Sequence, residues 1–424
     1  MIKLLDNSKV SFFDYFYLLC IIIYAGMASS FVREFGDIRT IGNAVPLALT
    51  IIFAVSKKVE FTKDFFYVVC AFTLYTIISL LVTPTKGFLW TYSRWIIFFY
   101  VAFVIGKGYG YRFFVLAETI LFHLAVISIV GWVLLLIVPV PFTNLISSIS
   151  MPAFNEDERF ASANVLIYTV IKSTVTEGSG DFYSIIRNSG FAWEPGAFSC
   201  FMCFAICFNA MREKGLRLKN NKVLILFLIA LATTQSTTGY STFALMVALW
   251  LIINKKYGTL ILLIPIFIVV MNLPFMNEKI LEKAEGYSDA TLFNASSGES
   301  FDRLLSFRLL WDEFLLHPIL GYGYSNPEFV QLDIKTWSGV GRLLAQYGII
   351  MSLIFLFSLI KSSYKISTYY SSHCGFLIII AMIGMMVSYM TWTHPFFIVI
   401  WLSCFFIKER RIISAINPQI DKSK

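Results

Sequence analysis

Residues 187–208 read RNSGFAWEPGAFSCFMCFAICF, and the organisation of the chain follows from this stretch. Arg187 and Glu194 stand at the mouth of an apolar run that contains no charged residue. Pro195 has no amide hydrogen to leave unpaired, and a carboxylate favours the positive end of a helix dipole. These residues therefore predict a helix start. The charges are either a simple cap or part of a pocket at the mouth of a membrane span over residues 191–211.

The composition indicates that lipid is the solvent of this chain. Of its 424 residues, 58% are hydrophobic and 14% are charged, and the mean hydropathy is +0.73. Soluble domains carry about 25% charged residues. The net charge of +8 does not point to nucleic acid, because Lys and Arg collect in the cytoplasmic loops of membrane proteins. The seven cysteines all lie in apolar runs, so no disulfide framework is expected.

The apolar runs predict an all-α integral membrane protein with about 12 transmembrane helices in a single polytopic domain over residues 1–424. The predicted spans are 14–32, 40–56, 64–83, 88–106, 113–138, 191–211, 222–235, 238–253, 258–273, 338–360, 375–391 and 394–407.

Basic residues predict the orientation of these spans. With the N-terminus in the cytoplasm, the inside segments hold about twice as many Lys and Arg residues as the outside segments, as the positive-inside rule requires. Both termini are then cytoplasmic. Two large segments, 139–190 and 274–337, lie outside, and the mouth at Glu194 opens on the outer side.

The second outer segment contains a predicted amphipathic helix at about residues 300–316. One helical face repeats apolar residues at the spacing of an α-helix: Phe307, Leu310, Trp311, Phe314 and Leu315. Such a helix is typical of the boundary between membrane and water. Its arginines, Arg303 and Arg308, either snorkel to water or turn inward to an anion.

Two arginines fall inside predicted spans near their outer ends. Arg94 lies roughly 9 Å below the end of the fourth span at about 1.5 Å per residue, and Arg342 lies one turn into the tenth. Each one could snorkel to the surface. Together with Arg187, Arg303 and Arg308, however, they could converge on one outward-facing pocket. Guanidinium groups grip phosphate with a bidentate fork, so the set predicts a site for a lipid-linked phosphate or diphosphate.

The chain resembles the superfamily of Wzy-type O-antigen polymerases and O-antigen ligases. The matching pieces, which lie mainly within residues 187–360, are RNSGFAWEPG at 187–196, QSTTGYS at 235–241, RLLSFRLLWDEFLLHPILGYGYSN at 303–326 and VGRLLAQYGII at 340–350.

The resemblance implies a GT-C-like glycosyltransferase of lipopolysaccharide biosynthesis in the bacterial inner membrane, with its active site in the periplasm. The implied reaction is an inverting transfer from undecaprenyl diphosphate that uses no metal and no cofactor. Its partners are a lipid-linked glycan donor and acceptor, membrane lipid and a candidate chain-length regulator, but not nucleic acid. Residues Arg187 and Arg303 or Arg308 are implied to hold the diphosphate.

One departure favours a polymerase over a ligase. Ligases are expected to carry a histidine near the start of the span after the G-x-G turn, but residues 335–342 read KTWSGVGR. The base therefore has to come from elsewhere, and Glu194, then His317, are the candidates. The alternatives are an O-antigen ligase and, from another class, a flippase of lipid-linked oligosaccharides or another transporter.

Overall fold

The computed structural model describes residues 10–34, 39–83, 88–150, 162–171, 186–262, 303–323, 336 and 338–407. The first helices are α1 (Phe12–Glu34), α2 (Arg39–Ser56), α3 (Lys63–Val82), α4 (Phe88–Tyr109), α5 (Arg112–Ile137) and α6 (Pro139–Ile149). After the strands β1 (Ser162–Asn164) and β2 (Thr169–Ile171) come α7 (Pro195–Arg212), α8 (Lys222–Thr233), α9 (Thr237–Ile253), α10 (Arg303–Leu316), α11 (Gly339–Tyr369), α12 (Phe376–Met386), α13 (Pro395–Trp401) and α14 (Ser403–Phe406).

The described chain is mostly helical, as an all-α membrane protein is. Four helices, α3, α5, α7 and α11, are long and apolar enough to cross a membrane, and several shorter apolar helices accompany them. Large apolar side chains such as Leu81 and Phe357 are exposed on the outside of the bundle, where lipid would cover them. Only residues 258–262 of the predicted ninth span are described, and they are helical. The predicted last span is two short helices that meet at Leu402.

Helix α7, which begins within the stretch 187–208, lies at the centre of the bundle. Every residue from Pro195 to Met211 is buried, because α1, α5, α8, α9 and α12 all pack around this helix. A helix that is apolar on all sides suits such a position. The thiols of Cys200, Cys203 and Cys207 are buried in this core and form no disulfide, which fits small apolar packing.

One end of the bundle, here called the Arg212 end, holds a buried ion pair. The Glu118 carboxylate on α5 is almost fully buried and accepts hydrogen bonds from Arg212 Nε at 2.9 Å and Nη2 at 2.8 Å. It also accepts one from Asn209 Nδ2 at 2.8 Å, and Asn209 pairs in turn with Asn221. The network joins α5 and α7 to the start of α8. The opposite end of α7 is called the Glu194 end.

Helix α11 is broken at Gly348, where φ is 63° and ψ is −171°. The turn HPILGYG, residues 317–323, fills the break. The amides of Tyr322 and Gly323 donate to the carbonyls of Ala345 and Gln346 at 2.8 and 2.9 Å, and the amide of Ile349 donates to the carbonyl of Pro318 at 2.8 Å. The backbone groups that the break releases are thereby paired, as apolar surroundings require.

Helix α10 lies where the amphipathic helix was predicted, and protein covers only part of the predicted apolar face. The residues that pack toward α11 and the rest of the protein are Ser306, Leu309, Leu310, Glu313 and Phe314. Two members of the predicted face, Trp311 and Leu315, are exposed. An apolar pattern marks contact with lipid as well as with protein, so the pattern alone could not separate the two faces.

The segment 139–190, which is predicted to lie outside, contains structure that the sequence did not predict. Helix α6 follows α5 directly, and β1 pairs with β2 in an antiparallel hairpin. Tyr168 of the hairpin packs on α5 at Gly131, where an added methyl group would lie 2.6 Å from the tyrosine ring. Burial raises the pKa of this phenol. The hairpin thus covers the Glu194 end of α5.

Candidate functional site

The quoted stretch begins with a tightly bonded turn. Asn188 is fully buried, and its amide and Nδ2 donate to the carbonyl and hydroxyl of Thr233 at 3.0 and 2.9 Å. Its Oδ1 accepts from the amide of Gly190 at 2.9 Å. Gly190 has φ +51° and lies against the ring of Phe198, so this position requires glycine. The turn is therefore fixed on both sides before α7 begins.

Arg187 connects this turn to the hydroxyl-rich segment that follows α8. Its Nε donates to the carbonyl of Thr234 at 3.1 Å, and its positive charge interacts electrostatically with the phenol of Tyr240. Two of the pieces quoted for the family resemblance, 187–196 and 235–241, are therefore neighbours in space.

Glu194 is the residue that caps α7. It has extended backbone angles, its carbonyl accepts the amide of Phe198 at 3.1 Å, and Pro195 follows in the first turn. The predicted helix start is confirmed to the residue. The carboxylate makes no cap bond to the first turn, so the cap is formed by the backbone rather than by the side chain.

A cavity of about 120 Å³ lies at this end, here called the helix-start cavity because α7, α11 and α13 all begin at it. It is lined by Ala25, Trp193, Ala197, Cys200, Phe201, Thr336, Arg342, Ser388, Tyr389, Met390, Thr391, His394 and Phe397. Tyr389 fits between two glycines, because added methyl groups at Gly196 and Gly339 would lie 1.7 Å from its hydroxyl and 2.1 Å from its carbonyl oxygen.

Arg342 forms a charged wall of the cavity. Its Nε donates to Thr336 Oγ1 at 3.1 Å and its Nη2 to the Thr336 carbonyl at 2.6 Å, while Nη1 contacts Met390 Sδ at 3.3 Å. The fork of the guanidinium is thereby held in one orientation.

His394 forms another wall and was not among the residues predicted from the sequence. It caps α13, and its Nδ1 is buried without a hydrogen-bond partner among the described residues. Arg94 is not in the lining, and its guanidinium lies over the Phe98 ring at 5.1 Å from the centroid. Among the described side chains, Arg342 is the one of the five predicted arginines that lines this cavity.

The remaining predicted residues lie elsewhere among the described residues. Glu194 is adjacent to the lining residue Trp193, but its own side chain is not in the lining, and neither are Arg187 and Arg308. The His317 ring packs at a tilt against Tyr322, with ring centroids 4.2 Å apart, in the turn that fills the break of α11.

Arg303 begins α10, and its side chain lies outside what the structure describes. The interior of both large outer segments, at 151–161, 172–185, 274–302 and 324–335, also lies outside the described residues.

The one sequence signal for His394 was the dipeptide His394-Pro395, which has the same form as Glu194-Pro195. Both place a polar residue just before a proline at a helix start.

Comparison with protein families, with curated proteins and with solved structures finds no match for this chain.

Proposed function

We propose that this chain is an O-antigen polymerase, which joins undecaprenyl-diphosphate-linked oligosaccharide repeat units by inverting glycosyl transfer. In this proposal the chain crosses the bacterial inner membrane about twelve times, as its apolar runs allow. Both termini are cytoplasmic, and the Glu194 end faces the periplasm. The glycan of one lipid-linked unit leaves its diphosphate and is added to the sugar end of another.

The observation that carries the proposal is the positive charge gathered at the helix-start cavity. Arg342 lines it, and α7 and α11 begin there. Helix N-termini carry partial positive charge, which favours anions. A diphosphate that leaves a sugar gains negative charge in the transition state, and fixed positive groups at that point speed its departure.

The order of the motifs in space adds support. The turn at 187–190 is bonded to Thr233 and Thr234, and the turn at 317–323 is bonded to the broken helix that begins near Arg342. In the proposal, Arg187 and Arg303 or Arg308 meet the diphosphate nearer the membrane surface, while Arg342 meets it in the cavity. Guanidinium groups can neutralise a diphosphate without a metal ion.

Deletion of the gene separates the proposed function from its alternatives in one experiment. Loss of a polymerase leaves single repeat units on the cell surface. Loss of a ligase leaves full-length glycan on the lipid carrier, and loss of a flippase keeps single units on the carrier inside the cell. Electrophoresis of surface and carrier-linked glycan distinguishes these results. Any result other than single units at the surface contradicts the proposal.

A further inference from the structure

The helix-start cavity holds polar groups that the protein itself satisfies poorly. Among the described residues, the buried Nδ1 of His394 has no hydrogen-bond partner, and the buried Thr391 hydroxyl donates to the sulfur of Met382 at 3.5 Å. Thioether sulfur is a weak acceptor. A buried polar group without a partner costs free energy and is uncommon in native proteins, so the unpaired His394 nitrogen beside a weakly bonded hydroxyl points to a ligand that supplies the missing bonds.

The remaining walls suit a sugar. Trp193 and Tyr389 stand edge to face with ring centroids 6.3 Å apart, and both line the cavity. Aromatic rings offer apolar surface to the C–H faces of a sugar, while polar tips remain available for its hydroxyls. Ser388 and Thr391 add hydroxyl groups to the same lining.

We propose that this cavity seats the reacting sugars and that His394 is the proton acceptor of the transfer. The inference rests on the proposed function and assigns it a residue. An acceptor hydroxyl oxygen forms a bond to the anomeric carbon of the donor, and the bond from that carbon to the diphosphate oxygen breaks. The electron pair leaves with the diphosphate, toward Arg342. The hydroxyl proton passes to a ring nitrogen of His394.

This assignment moves the base away from the residues that the sequence favoured. Glu194 caps α7 through its backbone and is not in the lining, and His317 packs against Tyr322 in the turn that fills the break of α11. A proton acceptor has to reach the hydroxyl within hydrogen-bond distance, directly or through one water. His394 lines the same cavity as Arg342, the residue that this proposal places at the leaving diphosphate.

The test uses the full chain in detergent. Its substrate is lipid-linked oligosaccharide extracted from cells in which the gene for this chain is deleted. Two readouts are taken: the rate of chain growth, and the retention of the lipid-linked oligosaccharide by the purified protein. In His394→Gln we expect the rate to fall about 100-fold or more, within the range of lost acid–base catalysis, with retention unchanged. The matched control His123→Gln, at a histidine that pairs with Tyr15 at 2.7 Å outside the cavity lining, should grow chains at the wild-type rate.

Further variants keep the outcome decisive. Glu194→Gln should retain chain growth. His394→Ala should regain part of its rate when imidazole is added, which a purely structural role would not produce. The inference is overturned if His394→Gln grows chains at the wild-type rate or loses retention of the oligosaccharide. It is also overturned if imidazole does not restore chain growth to His394→Ala. The proposed function is compatible with all three results. Absence of any polymer from the wild-type chain refutes the proposed function itself. If His394→Gln does not fold, His394→Asn takes its place.

Discussion

At the scale of single residues, Arg342 is the best-defined charged group of the cavity. It donates from two nitrogens to one residue, Thr336, and this fork fixes the plane of the guanidinium. Lysine keeps the charge but has no fork.

Arg342→Lys should therefore slow chain growth by roughly 10- to 100-fold, because a charge-assisted hydrogen bond contributes about 1.5–3 kcal/mol. Radiolabelled product ladders measure the change. Arg217→Lys, at an exposed position near the Arg212 end, is the control and should leave the rate unaltered. Equal rates in the two variants would remove Arg342 from the site.

The buried ion pair at the Arg212 end makes a separate prediction about stability. Glu118 accepts two bonds from Arg212 and one from Asn209 with almost no exposure to solvent. Loss of one partner of a buried pair costs about 3–5 kcal/mol. Glu118→Leu should thus lower the melting temperature in detergent clearly. Glu213→Gln, whose carboxylate is 41% exposed, should change it little. Similar melting temperatures for both variants would show that the buried network adds little stability.

Residue roles were predictable from the sequence only where the local pattern determines them. Glu194-Pro195 gave the helix start correctly, since capping depends on neighbouring residues. The helix-start cavity joins Trp193 to His394, which lie far apart in the sequence, and no local pattern carries that information. Arg342 was chosen for its charge at membrane depth, and the structure places it at the cavity.

At the scale of elements, the break in α11 is the feature with the clearest chemical cause. Gly348 has φ +63°, and an added methyl group would lie 2.3 Å from the carbonyl oxygen of Ile319. A substitution there meets both backbone strain and a clash with the turn that fills the break.

Gly348→Ala should therefore destabilise the protein more than Gly110→Ala does. Gly110 also has a positive φ, +58°, but nothing lies within 4 Å of an added methyl group, so this control carries backbone strain of about 1–2 kcal/mol without a clash. Thermal unfolding in detergent compares the two variants. Equal destabilisation would mean that the turn at 317–323 moves to accommodate the added methyl group without a loss in the free energy of unfolding.

The elements themselves were largely predictable, because a helix in lipid needs a long apolar run. Helices α3, α5, α7 and α11 were found where that rule put them. The hairpin of β1 and β2 was not predicted, and the sequence did not show that protein covers only part of the apolar face of α10. Both depend on which neighbour covers a surface, and hydropathy does not report the neighbour.

At the scale of the whole molecule, the proposed function requires the Glu194 end to face outward. The basic residues of the short loops predict this orientation, and the structure separates the two ends along α7.

Cysteine labelling in intact cells tests that orientation. Cys70 is exposed and Cys20 half-buried, while the other five cysteines are buried, so replacing these two by serine provides a quiet background. Ser148→Cys, which follows α5 at the Glu194 end, should react with a maleimide that cannot cross the membrane. Lys219→Cys, beyond Arg212, should react only after the inner membrane is opened. The reverse labelling pattern would show that the orientation in the membrane is inverted and that the cavity faces the cytoplasm.

The most direct test of the central claim is the length of glycan made by the purified chain. The protein is reconstituted in lipid vesicles with lipid-linked repeat units as the sole sugar source, without nucleotide sugars and with a metal chelator. We predict a ladder of products that differ by one repeat unit and still carry the lipid diphosphate. Repeat units that remain single, with the protein folded and inserted, would contradict the account.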